Sequence, residues 1–295
     1  MITRRMANFI AAIFNLKFIT QRTIVLFLGF ISTGDLRSQP YSFPWLNDEA
    51  NRPAIQEIAQ PIGYERVTTS ANTFADWLRN LPLKMENNIV YLYDGTPKPN
   101  QAAQHRVLAV DVGEKNLQQC ADAVIRLRAE YWFGQGNFAG IVFNFTSGHR
   151  AAFAAWRQGY RPRMQGRNVT WRQSAPADSS YKNFRDYLET VFLYAGTFSL
   201  SREMKKVARP EEIEIGDVFI KSGFPGHAVI VVDLAAEAGT GKKIFLLAQS
   251  YMPAQEIHVL QNPKHDGLNP WYEINAAGKL YTPEWTFEWP DLKRF

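Results

Sequence analysis

The stretch that decides the reading of this chain is Ile213–Tyr251, IEIGDVFIKSGFPGHAVIVVDLAAEAGTGKKIFLLAQSY. It breaks into short apolar runs separated by Gly and Pro. Gly216-Asp217 turns the chain into Val218-Phe219-Ile220, and Gly223 to Gly226 makes a tight loop. His227 then opens the run Ala228 to Val232, which ends at Asp233. A loop from Glu237 to Lys243 leads to Ile244–Ala248, capped by Gln249 and Ser250. Apolar runs of this length bounded by turn residues predict buried strands. If the last two strands are antiparallel, His227 at the start of one and Gln249 at the end of the next share one sheet edge. Chemistry is expected at that edge.

The rest of the chain frames this core. A composition of 46% hydrophobic and 21% charged residues over 295 residues is that of a globular chain with ample core material. Length suggests one large domain or two small ones. The net charge is +5, and part of the excess sits in Arg4, Arg5, Lys17 and Arg22. Lys and Arg do not alternate with aromatics except around Arg157–Arg172, so nucleic acid is not an expected partner. Cys120 is the only cysteine, which excludes an internal disulfide. His105, His149, His227, His258 and His265 form no HxxxH or HExxH pair, so no metal and no cofactor is expected. Gly134-Gln135-Gly136 follows a helix rather than a strand, the wrong context for a phosphate loop.

Taken in order, residues 1–39 read as a signal peptide or an N-terminal anchor. Their basic start precedes Thr23–Ile31, an apolar run too short for a comfortable membrane span. Residues 40–177 form the N-terminal portion of one large domain. Within it, Ser70–Leu81 reads as a helix stopped by Pro82, and Val90–Tyr93, Val107–Val112 and Ile141–Phe145 as strands. Asn116–Trp132 is the strongest helix: Asn116 can cap it with Gln119 three residues on. Leu117, Cys120, Ala121, Val124, Leu127 and Tyr131 make its apolar stripe, with Arg126, Arg128 and Glu130 largely off it. Ala151–Gln158 reads as a short helix, and Tyr160–Ala177 as a basic, irregular loop over a groove. The C-terminal portion, 178–295, opens with a helix over Tyr181–Ala195 and a short one over Leu200–Val207. A strand over Glu256–Leu260 follows the central stretch, with His258 facing out of it.

From Ser180 on, the order is helix, Gly, short helix, "GD" strand, loop, His-strand, polar-ended strand. Tyr181–Gly196, Gly216-Asp217, His227–Val231 and Ala248-Gln249-Ser250 stand in those places. This resembles the second half of NlpC-type cell-wall peptidases, which have a papain-like fold. The resemblance implies an α+β class with a papain-like (NlpC-type) core, an antiparallel sheet and packed helices, plus an N-terminal α/β portion. That family opens its helix with a cysteine; here the helix start reads Asp178-Ser179-Ser180-Tyr181. More widely, WLRNLPL, LYDG, LQQCADAVIRLRAEY and LAQSYMPAQEIHVL resemble a bacterial exported family, domain of unknown function 4846.

Two functions follow as expectations. In the first, an exported envelope protein hydrolyses peptide or cell-wall amide bonds in a groove beside His227. Cys120 attacks, His227 is the base and Gln249 orients it. A thiol near a helix N-terminus and a histidine in reach are what that chemistry needs, and Cys120 precedes His227 as the papain-like order requires. The bland alternative makes Cys120 a small core hydrophobe. Ser179 or Ser180 stands as a substitute nucleophile or, more simply, as an N-cap. The second function keeps the fold without catalysis and binds a cell-wall peptide, glycan or partner protein. Ser180, Asn183, Ser250, Tyr251 and Trp171 are the binding candidates. The expected location is periplasmic or secreted, the expected partner is peptidoglycan or a peptide, and membrane contact is expected only through residues 1–39.

Overall fold

The computed structural model describes residues 41–46, 52–275 and 278–295. The segment read as a signal peptide or anchor lies outside the described residues. The chain from Arg37 to Phe295 forms one unit. Its first elements are β1 (Tyr64–Arg66), α1 (Phe74–Arg79), β2 (Gln104–Val107) and α2 (Cys120–Gly134). Next come β3 (Val142–Asn144), β4 (Arg150–Ala152), α3 (Phe153–Trp156), β5 (Tyr160–Gln165) and β6 (Asn168–Gln173). The second half contains α4 (Tyr181–Tyr194), α5 (Thr197–Glu203), β7 (Lys205–Lys206), β8 (Val218–Lys221), β9 (His227–Glu237) and β10 (Lys243–Gln249). It closes with β11 (His258–Leu260), β12 (Tyr272–Glu273), β13 (Leu280–Tyr281), β14 (Thr286–Phe287) and β15 (Leu292–Arg294).

The fold is α+β, built on a nine-stranded sheet ordered β2-β11-β10-β9-β8-β15-β7, with β1 also on β9 and β12 also on β10. Every pairing in it is antiparallel. The central strands are buried on both faces, which is why they read as unbroken apolar runs rather than alternating ones. Alternation decides the layer each side chain joins. Ala228, Ile230, Val232, Ile244 and Leu246 pack into the helical layer. Val229, Val231, Phe245 and Leu247 pack under the C-terminal segment, with Phe287 and Leu292. A register shift between Leu246 and Leu247 breaks the pairing of β9 with β10 near Asp233. The buried carboxylate of Asp233 there accepts from Arg66 and Arg79, each at 2.7 Å.

Two turns aim the start of β9. Gly216 has φ +96 and lies under the Phe74 ring, where a Cβ would come within 3.0 Å of it. Gly226, immediately before His227, has no room at all. A Cβ there would sit 2.5 Å from the Gly223 carbonyl oxygen and the Thr197 hydroxyl, so only glycine fits this approach.

Helix α2 lies inside the molecule. It begins three residues later than the capping pattern at Asn116 predicts: Gln119 is the N-cap, and its amide is held at 3.1 Å by Asp122 in the third helical position. Its charged residues are not off the packed surface either. Arg126 and Glu130 are fully enclosed and paired at 2.6 Å. Arg126 also bonds the side chains of Gln118, Asp111 and Tyr181. Breaking a buried pair of this kind by removing one partner costs about 3–5 kcal/mol.

Other sequence expectations shift. Val90–Tyr93 makes only isolated bridges, through Tyr91 and Leu92. Of the strand expected over Val107–Val112 only Val107 lies in a strand, as the last residue of β2. The helix expected over Ala151–Gln158 is divided between β4 and α3. Tyr160–Ala177 is not a loop over a groove but mostly the β5–β6 hairpin, closed by a two-residue turn at Gly166-Arg167. The basic residues conceal its alternation. His258 faces inward and is fully buried, because its strand is covered on both sides.

Candidate functional site

Where β9 begins, the N-terminus of α2 and the loops after β8 and β10 enclose a cleft of about 410 Å³. Cys120 and His227 both line it. The late start of α2 is what brings the thiol here: Cys120 is the first helical residue, not one turn inside. Capping is left to Gln119 and Asp122, so the Cys120 side chain is free to face the cleft. The backbone amides of Ala121 and Ala228 are both directed at the sulfur. Ala228 directly follows His227, so the thiol and the imidazole belong to adjoining walls.

Ser250 fixes this join. Its hydroxyl lies 2.8 Å from the carbonyl oxygens of Gln118 and Gln255, tying the entrance of α2 to the loop after β10. Asn116 helps from the other side by accepting the Ala254 amide at 2.8 Å. Ser250 is thus a buried pin of the site rather than a ligand-facing residue.

The histidine is boxed by aromatic rings. Tyr251, Trp285 and Phe287 lie 4.7, 5.3 and 5.8 Å from its centroid. Its Nε2 is 2.8 Å from Gln249 Oε1. The Gln249 amide nitrogen donates in turn to Glu284 Oε2 at 2.7 Å. Lys98 closes the chain with an ion pair to Glu284 at 2.6 Å. His258 lies beside it, its Nε2 3.4 Å from the same amide nitrogen and its Nδ1 2.9 Å from the Glu256 carbonyl.

These contacts have one consistent set of protons. The Glu284 carboxylate only accepts, so it turns the NH₂ of Gln249 toward itself and leaves Gln249 Oε1 for the histidine. A carbonyl oxygen also only accepts, so His227 carries its proton on Nε2. Its Nδ1 then holds a lone pair available as a base. His258 donates from Nδ1 to Glu256 and offers Nε2 to the second Gln249 hydrogen. One carboxylate thereby sets the tautomer of a histidine it does not touch.

Burial sets the resting charges. The Cys120 thiol is pushed up to about 11 by burial first and by the nearby Asp122 carboxyl second, against the amides directed at it. The imidazole of His227 is pushed down to about 4, again chiefly by burial, with the Gln249 bond opposing. His258 is lowered to about 3 by burial and by the Lys98 charge. Asp122 is raised to about 8 by burial, and its Oδ1 has no hydrogen-bond partner. The thiol and the imidazole that line the cleft therefore both rest neutral.

The remaining candidates lie elsewhere. Ser180 is the N-cap of α4: its hydroxyl accepts from the Asn183 amide at 3.2 Å and donates to Asp178 at 3.0 Å. Ser179 receives the Arg157 guanidinium. Asn183 is buried and occupied by Trp156, Arg161 and the Asp178 carbonyl. Trp171 lies on β6, stacked on Phe145, and is not on the cleft wall. Tyr251 is on that wall. The helix resembling the cysteine-bearing one, α4, meets the cleft with its C-terminal end, through Phe192 and Ala195. Its first residue is roughly 20 Å back along the helix. Sequence alone does not point to Lys98, His258 and Glu284. The one available signal is a His alternating with Ile257 and Val259, which marks a strand but not its facing.

Among the described residues, no group of three or more His, Cys, Asp or Glu is arranged to hold a metal ion, and no helix is long and apolar enough to cross a membrane. The match to domain of unknown function 4846 spans residues 55–294, and the chain belongs to that family. No curated protein and no solved structure matches the chain.

Proposed function

We propose that this protein is a thiol-dependent hydrolase with a papain-like core, exported through residues 1–39 and acting on amide bonds of peptides, cell-wall peptides included, in the bacterial envelope. The observation that carries the reading is that one cleft is lined by both Cys120, at the first position of α2, and His227, whose Nε2 is bound to Gln249. In this mechanism Nδ1 of His227 takes the thiol proton as the sulfur attacks the substrate carbonyl. The C–N bond breaks, the amine leaves with the proton from His227, and a thioester remains on Cys120. Water, deprotonated by the same imidazole, cleaves the thioester and restores the thiol. The first-turn amides of α2 offer hydrogen bonds and the positive end of a helix dipole to the charge that develops.

In this reading the correspondence with NlpC-type peptidases moves from α4 back to α2. The nucleophile belongs to α2, ahead of the segment that resembles that family, and α4 serves as a wall. A second reading rests on the neutral resting pair: the cleft binds a peptide, glycan or partner protein without turning it over. The test is incubation of the purified protein with peptides and muropeptides, with mass analysis of products. Wild type releases new amines, and Cys120→Ala and His227→Ala do not. Identical products from all three overturn the hydrolase and leave the binding cleft.

A further inference from the structure

The walls of the Cys120 cleft are short of charge. Among the described residues no lysine or arginine lines it, and its one acidic residue, Asp122, is buried, with Oδ2 on the Gln119 amide and Oδ1 without a hydrogen-bond partner. The lips are apolar and open. Phe224, on the loop before β9, is 99% exposed, and Met252, on the loop after β10, is 59% exposed. Between them the walls are Tyr251, Trp285, Phe192 and Leu117.

The apolar surface continues. Ala195, at the end of α4, also lines a second hollow of about 660 Å³, walled by Phe145, Met164, Leu193, Tyr194 and Phe198. More than half of the exposed large apolar side chains in the described chain lie on this track. Single exposed apolar residues are ordinary on a protein surface; their concentration on one concave path that starts at a nucleophile is not. A charged side chain held against the apolar walls, away from the α2 amides and Asp122, would lose part of its water without gaining an ion partner, which is costly.

We propose that the cleft selects peptides that are neutral and apolar on the residues flanking the scissile amide. This rests on the hydrolase reading above and narrows its substrate class, away from cell-wall stem peptides that carry acidic and basic groups at the cleavage site. Large side chains of the Leu or Phe type would pack on Phe224, Met252 and Tyr251 while the carbonyl reaches Cys120.

The experiment uses the whole 295-residue chain and two electrophilic peptides, acetyl-Leu-Phe chloromethyl ketone and its Leu-Glu counterpart. In each, the sulfur forms a C–S bond at the chloromethyl carbon, chloride leaves, and the thiol proton passes to His227. The gain in intact mass that Cys120→Ala abolishes reports that residue, the only cysteine, apart from any alkylation of the His227 ring. The Phe probe is expected to label at least tenfold faster than the Glu probe. Phe224→Ala and Met252→Ala, at exposed positions, are expected to reduce that ratio several-fold each. Equal rates, a faster Glu probe, or a ratio untouched by both substitutions overturns the selectivity and leaves the nucleophile standing. Labelling by either probe no faster in wild type than in His227→Ala overturns the hydrolase reading itself, and the selectivity with it.

Discussion

Helices α2 and α4 each begin with a residue capable of nucleophilic attack, and they use it in opposite ways. At α4, Ser180 sits outside the first turn as N-cap, and its hydroxyl is spent on the Asn183 amide and Asp178. At α2, Gln119 and Asp122 take the capping, and Cys120 is one position further in. A cap side chain must turn back toward the helix amides, whereas the first residue of the helix proper is free to point away. The second difference is the partner: α2 starts against a histidine whose tautomer is set, and α4 starts against Trp156 and Arg161. A nucleophile at a helix start becomes a site only when another element supplies the base.

The comparison can be broken most sharply by moving the nucleophile. Cys120→Ala is expected to abolish thioester formation, and His227→Ala to slow it by on the order of 10³-fold. Adding Ser180→Cys to the Cys120→Ala chain is expected to restore nothing, as read by acyl-enzyme mass. Any rescue would show that the two helix starts are equivalent after all.

Glu284→Gln comes next in size. The amide that replaces the carboxylate can donate as well as accept, so Gln249 is no longer held in one orientation and His227 loses its fixed tautomer. Labelling of Cys120 is expected to fall by about 10²-fold, the scale of a general-base contribution. Its pH profile is expected to change shape, while Glu284→Asp recovers part of the rate. A merely structural role would lower the folded fraction and leave the profile of the remaining enzyme alone.

The capping acid of α2 is distinguished by pH. Asp122 goes from an ordinary value of 3.8 to about 8 on folding, so the folded state holds that proton more tightly. Its contribution to stability is full below pH 4 and is lost as pH rises through about 8, with a limit of about 1.4 kcal/mol per pH unit for one proton. His227 and His258 act in the other direction. Their folded values are depressed, so their contribution is full above about pH 6.5 and falls as pH drops toward 4. Urea midpoints of Asp122→Asn are expected to decline less between about pH 5 and 8 than those of wild type, with the acid limb retained. The smallest effect belongs to the other cap: Ser180→Ala is expected to cost about 1 kcal/mol in the same measurement and to leave Cys120 labelling unchanged.

The central strands are legible because Gly216, Gly223 to Gly226 and Gly239 to Gly241 punctuate apolar runs that neither periodic pattern can extend through. His227 and Gln249 at one edge follow from strand order alone. The start of α2 is misread from sequence because Asn116 and Gln119 imitate a capping box one turn early. That imitation puts Cys120 on an inner stripe and makes α4 the natural match for the cysteine helix. Lys98, His258 and Glu284 are not legible, since their roles depend on segments far apart in sequence meeting behind β10. No local pattern records such a meeting. The hairpin β5–β6 is readable in principle, from Val169 and Trp171 alternating opposite Tyr160, Pro162 and Met164.

The spread of the Lys98–Glu284–Gln249–His227 relay along the chain has a consequence for synthesis. Cys120 leaves the ribosome well before His227, and the carboxylate that sets the base, Glu284, later still. At typical elongation rates of roughly 5–20 residues per second, the nascent thiol spends several seconds without a working base. In the proposed hydrolase, reactivity therefore arrives with the closing C-terminal segment, and only chains elongated past Glu284 acquire the complete relay.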